Sequence, residues 1–290
     1  MSAAATCSTP HFADGCYFGS AGILANDRLG RDTYRLRIDA PRIAQRITPG
    51  QFVMVRLAGY DDPLLGRPLA LYDTVLDAAG QPVAIEVVYR TVGKLTSRLS
   101  KVAAGQQLEI WGPLGNSFSA EACEHLVMVA GGIGHTPFLA LAREFTGGRT
   151  FGDRKVSTSG KVTLCYGERT REYFSGVEAF QHAGVDVRLS TDDGSHGHHG
   201  RVTDLLERVL DENGNRGKVV VCGPEPMMEA VAHLAARRNV ACQVSLETPM
   251  ACGLGICFSC VAKVKQPDGT WDYKRTCVEG PIFDSSAIEF

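Results

Sequence analysis

Near the end of the chain, Cys252, Cys257 and Cys260 stand in the spacing C-x4-C-x2-C, and Cys277 follows alone. Four thiolates spaced this way suit a 2Fe–2S cluster, with ligands on both irons. Gly253 and Gly255 lie between the first two cysteines. They let the loop turn its backbone N–H groups toward the sulfurs with no β-carbon in the way, and those dipoles offset the cluster's negative charge. Structural zinc also takes four cysteines. However, zinc sites commonly pair cysteines two to four apart at both ends, and here the second half has Cys277 by itself. The spacing therefore favours iron and sulfide.

Three further places have residues suited to holding phosphates or a ring system. Gly131-Gly132-Ile133-Gly134-His135-Thr136-Pro137 follows the strand-like run Leu126–Ala130 and opens a helical stretch. Glycines at such a turn let a pyrophosphate approach the N–H groups of a helix N-terminus. A tight turn that needs glycine only for its geometry would read the same, and the full dinucleotide fingerprint is incomplete. Cys222-Gly223-Pro224-Glu225-Pro226-Met227 is a second turn from strand to helix. Two such turns at strand C-termini of one sheet frame the crevice where α/β folds bind ligands. Earlier in the chain, Arg67-Pro68-Leu69-Ala70-Leu71-Tyr72 puts an arginine beside an extended segment, and Gly93-Lys94-Leu95-Thr96 opens a helix. Both offer donors to phosphate, although Arg67 would equally serve a surface ion pair and Gly93 an ordinary cap.

The elements that must position these residues fall into three stretches. The first third alternates as antiparallel β, with strands at Thr33–Asp39, Phe52–Leu57, Val83–Tyr89 and Gln107–Trp111 and one helix at Lys94–Val102, which predicts a small barrel. From about Cys123 strands alternate with helices: Leu126–Ala130, Thr136–Phe145, Lys161–Tyr166, Val185–Ser190, Arg201–Leu210, Lys218–Cys222, Glu225–Arg238 and Cys242–Leu246. That order predicts a doubly wound parallel sheet. A compact cysteine-bearing tail follows. The expected units are residues 14–118, 119–245 and 246–290. A chain of 290 residues is long enough for two cores and an appendage.

Composition narrows the function classes. Hydrophobic residues make up 44% and charged residues 21%, with net charge −2. No basic stripe suggests nucleic acid, and the apolar runs are too short to span a membrane. Met1 to Gly15 has neither the basic nor the apolar region of a secretory signal, so a cytoplasmic chain is expected. The ten cysteines then read as ligands or buried thiols rather than as a disulfide framework.

Taken together, Pro49-Gly50-Gln51-Phe52, Arg67-Pro68, Gly93-x-x-Thr96, Gly112-Pro113-Leu114-Gly115-Asn116, Gly131–Gly134 and Cys222–Met227 resemble the ferredoxin–NADP reductase superfamily. The tail is more particular. Glu247 through Cys260, with Tyr273 through Pro281, looks like the electron-transfer subunits of NAD-dependent (class 1B) dihydroorotate dehydrogenases. The resemblance implies an FAD-binding β-barrel, an NAD-binding α/β domain and a 2Fe–2S module. It places the flavin on Arg67, Pro68 and the Leu69–Leu71 backbone, Ala70 included, and the FAD pyrophosphate at Gly93 and Thr96. It puts NAD along Gly132 and Gly134, with Cys222 and Gly223 close to the nicotinamide and Cys222 as the candidate catalytic residue. It implies a heterotetramer with an FMN-containing catalytic subunit that oxidises dihydroorotate. Two positions depart from the family: Ala70 stands where a serine is usual, and Leu95 where a second glycine often stands.

Two other roles would suit the same carriers. One is a subunit of a ferredoxin-dependent transhydrogenase, hydrogenase or sulfide dehydrogenase; the other is a redox-sensing module without turnover. Leu254, Ile256 and Phe258, set among the cluster ligands, are expected to form an apolar rim that a partner covers. Several residues are set aside. His196, His198 and His199 sit in a glycine-rich loop with no sensible fourth metal ligand. Cys7, Cys16, Cys123, Cys165 and Cys242 read as buried or incidental thiols. Glu168, Arg169 and Arg171 leave NAD against NADP open on residues alone. No Ser/His/Asp set or carboxylate pair recommends hydrolysis.

Overall fold

The computed structural model describes residues 15–290; Cys7 lies outside them. Six antiparallel strands close into a barrel: β1 (Tyr17–Gly30), β2 (Thr33–Asp39), β3 (Phe52–Leu57), β4 (Arg67–Leu76), β5 (Pro82–Arg90) and β6 (Gln107–Leu114). Their order around the wall is β1-β2-β5-β4-β3-β6. Alternating residues such as Leu36 and Ile38, Val53 and Val55, and Leu108 and Ile110 fill the interior. Two short helices, α1 (Pro41–Ala44) and α2 (Lys94–Leu99), add Ile43, Leu95 and Leu99 to that core. Leu95 is therefore a core residue here.

The second unit is a seven-stranded sheet in the order β10 (His198–His199), β9 (Asp186–Thr191), β8 (Lys161–Glu168), β7 (His125–Gly131), β11 (Lys218–Cys222), β12 (Ala241–Ser245) and β15 (Ile282–Asp284). Its parallel part comprises β7, β8, β9, the short β10, β11 and β12. Strands β7 and β11 are buried along their whole length, as central parallel strands covered on both faces must be. One face packs under α3 (Phe138–Phe145) and α4 (Val177–His182), the other under α5 (Val202–Asn213) and α6 (Glu225–Arg237). This is the doubly wound arrangement that the alternation predicts. The expected helix Thr136–Phe145 begins later, because a tight 3-10 turn takes Gly132–His135 and Pro137 holds the cap position.

α3 carries apolar residues on nearly every side, and it is wedged between the two units. Ala140 enters the barrel core while Phe138 and Phe145 pack on the sheet. Beside it, buried Asp73 of β4 pairs with Arg143 at 2.8 Å and Arg149 at 2.9 Å. The ion pairs thus tie a barrel strand to the helix and the loop after it. Burial pushes the Asp73 carboxyl up, and the two guanidinium groups pull it back.

The tail forms a hairpin, β13 (Val261–Lys265) with β14 (Trp271–Arg275), and then β15 (Ile282–Asp284). β15 joins the large sheet antiparallel to β12. The Gly-Pro-Leu-Gly-Asn motif seats this return. Asn116 donates to the carbonyls of Glu279 (3.0 Å) and Ile282 (2.8 Å) and accepts from Ile282 N–H (2.9 Å). Gly115 has φ +71 and lies so close to Pro281 that a β-carbon would come within 2.7 Å of its Cδ. Only glycine is comfortable in that position.

Candidate functional site

The β13–β14 register sets Val261 opposite Arg275. Cys260, one residue before the hairpin, and Cys277, two residues after it, therefore meet at its open end. Both are buried, at 2% and 1% exposure, in one cluster with Phe52, Met54 and Leu114 of the barrel. Thr276 locks the junction, its N–H (2.7 Å) and hydroxyl (3.0 Å) both donating to the Cys260 carbonyl. Cys252 and Cys257 form a second pair, with sulfurs 3.3 Å apart. Burial opposes ionisation of Cys252, but N–H groups of Cys257, Leu254 and Ile256 and the Cys257 thiol bring it down to about 7. Burial and the neighbouring Cys260 push Cys277 up to about 12, and Gly255 N–H works against them.

Gly253 and Gly255 have φ +71 and +72, the left-handed turns that aim those N–H groups. Two sulfur pairs within a nest of N–H donors fit a two-iron cluster.

The loop's apolar residues divide. Leu254 is half-buried against the barrel cluster, so it does not belong to the expected rim. Ile256 and Phe258 are 75% and 63% exposed. Phe258 holds a left-handed φ of 53, which turns its ring outward beneath the Arg275 guanidinium, 5.1 Å from the ring centroid.

Behind the loop opens a cleft of about 920 Å³. Arg67, Pro68, Leu69 and Ala70 of β4 form one wall, Gly93 and Thr96 another, and Cys222 and Gly223 a third. Met250, Ala251 and Ser259, each within two residues of Cys252 or Cys260, line it as well. Arg67 turns its guanidinium back on the carbonyls of Leu65 (3.1 Å) and Gly66 (3.0 Å). The Thr96 hydroxyl accepts from the N–H groups of Val92 and Gly93, each at 3.1 Å, while Gly93 presents open space on its side-chain face.

A second cleft of about 720 Å³ lies over the C-terminal ends of the parallel strands. It shares Gly131, Gly132, Arg90 and Pro224 with the first, so the two form one continuous groove. The glycines are needed here. A β-carbon at Gly134 would lie 2.2 Å from the Cys222 carbonyl oxygen, and one at Gly131 would lie 2.4 Å from Met227 Sδ. The two turns thus lock together, and Gly132 (φ +58) and Gly223 (φ +151) hold conformations suited to glycine. The buried Ser190 hydroxyl and Arg90 Nε have no protein partner. Both belong to residues that line the second cleft, where a ribose or phosphate oxygen would satisfy them.

Arg90 crosses between the units, donating to Glu168 at 2.6 Å beneath a hydrogen bond from Tyr166 (3.2 Å). Burial pushes the Glu168 carboxyl up despite this arginine. His198 pairs with Asp204 at 3.0 Å through one ring nitrogen and faces Arg208 at 3.3 Å through the other. Burial first, then the nearby Glu247 carboxylate, keeps Cys222 a neutral thiol well above its usual range.

Sequence reasoning missed Glu247. It lies two residues after β12 and its carboxyl, pushed up by burial, lines the flavin-sized cleft. The available signal was an acidic residue just past the C-terminal end of a parallel strand. His135 was missed too. It is fully buried between Ser175 (3.4 Å) and the Gly132 carbonyl (3.3 Å), 4.9 Å from the Tyr166 ring, with its pKa near 4 through burial. Between pH 6.5 and 4 the unfolded chain binds a proton that the folded chain refuses, so stability must fall as pH falls. At about 1.4 kcal/mol per unit, thermal melts at pH 7 and pH 5 should reveal a loss near 2 kcal/mol from this residue, and His135→Phe should flatten the dependence. An equally steep slope in the variant would assign it elsewhere.

The fold and site define an oxidoreductase that binds FAD and NAD and carries an iron–sulfur module. Family models match in that order: an oxidoreductase FAD-binding domain over residues 21–118, an oxidoreductase NAD-binding domain over 128–233, and the iron–sulfur cluster binding domain of dihydroorotate dehydrogenase B over 247–289. The electron transfer subunit of dihydroorotate dehydrogenase B (NAD(+)) from Desulforamulus reducens is 35% identical over 267 residues, 91% of this chain and 95% of that one. The Bacillus caldolyticus subunit is 37% identical over 270 residues, covering 91% and 96%. This chain belongs to that family of electron transfer subunits.

Among solved structures, an NADH-dependent reduced ferredoxin-NADP oxidoreductase aligns with TM-score 0.75 and 26% identity, over 93% of this chain and 89% of that one. A ferredoxin reductase of carbazole 1,9a-dioxygenase shares the fold at TM-score 0.62 and 18% identity, over 78% and 67%.

Proposed function

We propose that this chain takes electrons from a dihydroorotate-oxidising, FMN-containing catalytic subunit and delivers them, by way of a 2Fe–2S cluster and FAD, to NAD⁺ in pyrimidine biosynthesis. The observation that supports this best is the continuity of the groove: residues next to the cluster cysteines wall the first cleft, and the first cleft opens into the second. Cys252, Cys257, Cys260 and Cys277 would hold the cluster. Arg67, Pro68, Leu69 and Ala70 would hold the flavin ring, and Gly93 and Thr96 the FAD pyrophosphate. Gly132, Gly134, Cys222 and Gly223 would hold the nicotinamide end of NAD. When bound, the cluster exchanges single electrons, nicotinamide accepts two as hydride, and the flavin does both. The chain's own part is placement. Its locked glycine turns let the nucleotide lie against backbone, the neutral Cys222 offers contact without nucleophilic competition, and α3 with the Asp73 ion pairs fixes one cleft against the other. The working units are residues 14–118, 119–245 and 246–290.

The partner would dock on Ile256 and Phe258 and on the exposed aromatic edge Trp271–Tyr273, which shares the Arg275 face of β14. The assembly would be a cytoplasmic heterotetramer. No helix of the described residues is long and apolar enough to cross a membrane.

The test separates the two half-reactions. The isolated chain should oxidise NADH with an artificial dye and leave dihydroorotate untouched, and added catalytic subunit should bring dihydroorotate-dependent NADH formation. Dihydroorotate oxidation by this chain alone overturns the division of labour. The structural neighbour at TM-score 0.75 favours a second reading, a ferredoxin-dependent NAD(P) transhydrogenase subunit. Reduced ferredoxin would then replace dihydroorotate as donor in the same assay.

A further inference from the structure

We infer that Trp111 is a positioning residue that fixes the cluster-ligand loop at Cys252 to the barrel strand carrying the flavin site. Its indole N–H donates to the Cys252 carbonyl at 2.8 Å. The far edge of the ring lies on Gly66, where a β-carbon would come within 2.7 Å of Cη2. Gly66 directly precedes Arg67. One side chain therefore touches both a cluster ligand and the start of the flavin strand.

The strands around it complete the seat. Trp111 is paired with Phe18 of β1 and Met54 of β3. Phe18 flanks the indole with ring centroids 5.9 Å apart. Met54 takes the next loop residue, because a β-carbon on Gly253 would lie 2.7 Å from its Cγ. On the other side of Cys252, Ala251 lines the first cleft. A shift of Cys252 would thus move the cleft wall and the ligand together. Packing alone does not account for the residue: Trp111 is only half-buried, and a phenylalanine would keep a ring at this position without a directed N–H. Hydrogen bonds to the groups around metal ligands orient those ligands, and their loss typically costs on the order of tenfold or more in affinity or activity.

The inference rests on the cluster and flavin placements proposed above. Its test uses the holoprotein with Trp111→Phe, which keeps a ring and removes the N–H, and Trp111→Leu, which removes both. The first readout is the rate at which an iron chelator bleaches the cluster's visible circular dichroism. It should rise about fivefold in Trp111→Phe, the weight of one neutral hydrogen bond. The second is the rate of cluster reduction by NADH divided by the rate of flavin reduction in the same sample, which should fall about tenfold. Wild-type values for Trp111→Phe overturn the inference, whatever Trp111→Leu does. Equal slowing of both reductions with loss of flavin also overturns it, because that marks damage to the barrel. A wild-type preparation without cluster or flavin would instead remove the placements themselves.

Discussion

Replacing Cys257 by serine should remove the cluster's visible absorption, iron and sulfide and leave FAD bound. Cys257 is exposed and its sulfur lies against that of Cys252, so the substitution cannot unfold a core. Cys277→Ser should give the same spectrum from the buried pair. A ligand set that closes two irons fails as a unit, so no reduced-cluster signal should follow NADH in either variant. The flavin cleft lies on the barrel and should keep its occupant. Normal iron and sulfide in these variants would sink the assignment, and stoichiometric zinc in anaerobically prepared wild type would point to the competing site.

The second large effect concerns the partner. Ile256→Asp and Phe258→Asp put charge into the apolar face beside the cluster, and a buried unpaired charge at an interface centre typically costs about 2–4 kcal/mol or more. Affinity for the catalytic subunit should therefore drop at least about thirtyfold, and dihydroorotate-to-NAD⁺ transfer should stop at dilute concentrations. Neither change threatens the fold. Ile256 is the more exposed of the two, and Phe258 already holds φ 53, where aspartate is more at ease than phenylalanine. Leu254 would be the wrong choice, because it packs against the buried cluster that contains Phe52, Met54 and Leu114. If both variants assemble and transfer electrons at the wild-type rate, the interface lies elsewhere.

The sequence showed most clearly the features that local physics determines. Short apolar runs between glycine turns gave the parallel strands other than β10 to within a residue or two, because β7 and β11 are buried on both faces, whereas β10 fell in a stretch read as a loop. The cysteine spacing singled out the four thiols, and the hairpin register explains why Cys277 can stand so far from Cys260. β1 escaped notice. Its burial alternates only in part, and Asn26, Asp27 and Arg28 lie on a polar stretch that pairs with β2. A strand of this kind is specified by its partners rather than by its own pattern. β15 was hidden for a similar reason, since only its docking beside β12 makes three residues a strand. Glu247, Trp111 and the outward turn of Phe258 depend on contacts between distant segments or on a backbone angle. No periodicity reports either.

The account's central claim is that one chain joins a nicotinamide site to a cluster through a flavin. The most direct measurement adds NADH anaerobically to the isolated wild-type protein and to Cys257→Ser, and follows flavin absorbance and electron paramagnetic resonance together. The account predicts that the flavin bleaches in both proteins and that a reduced iron–sulfur signal grows in the wild type alone. A wild-type protein whose flavin bleaches while its intact cluster stays oxidised would contradict it.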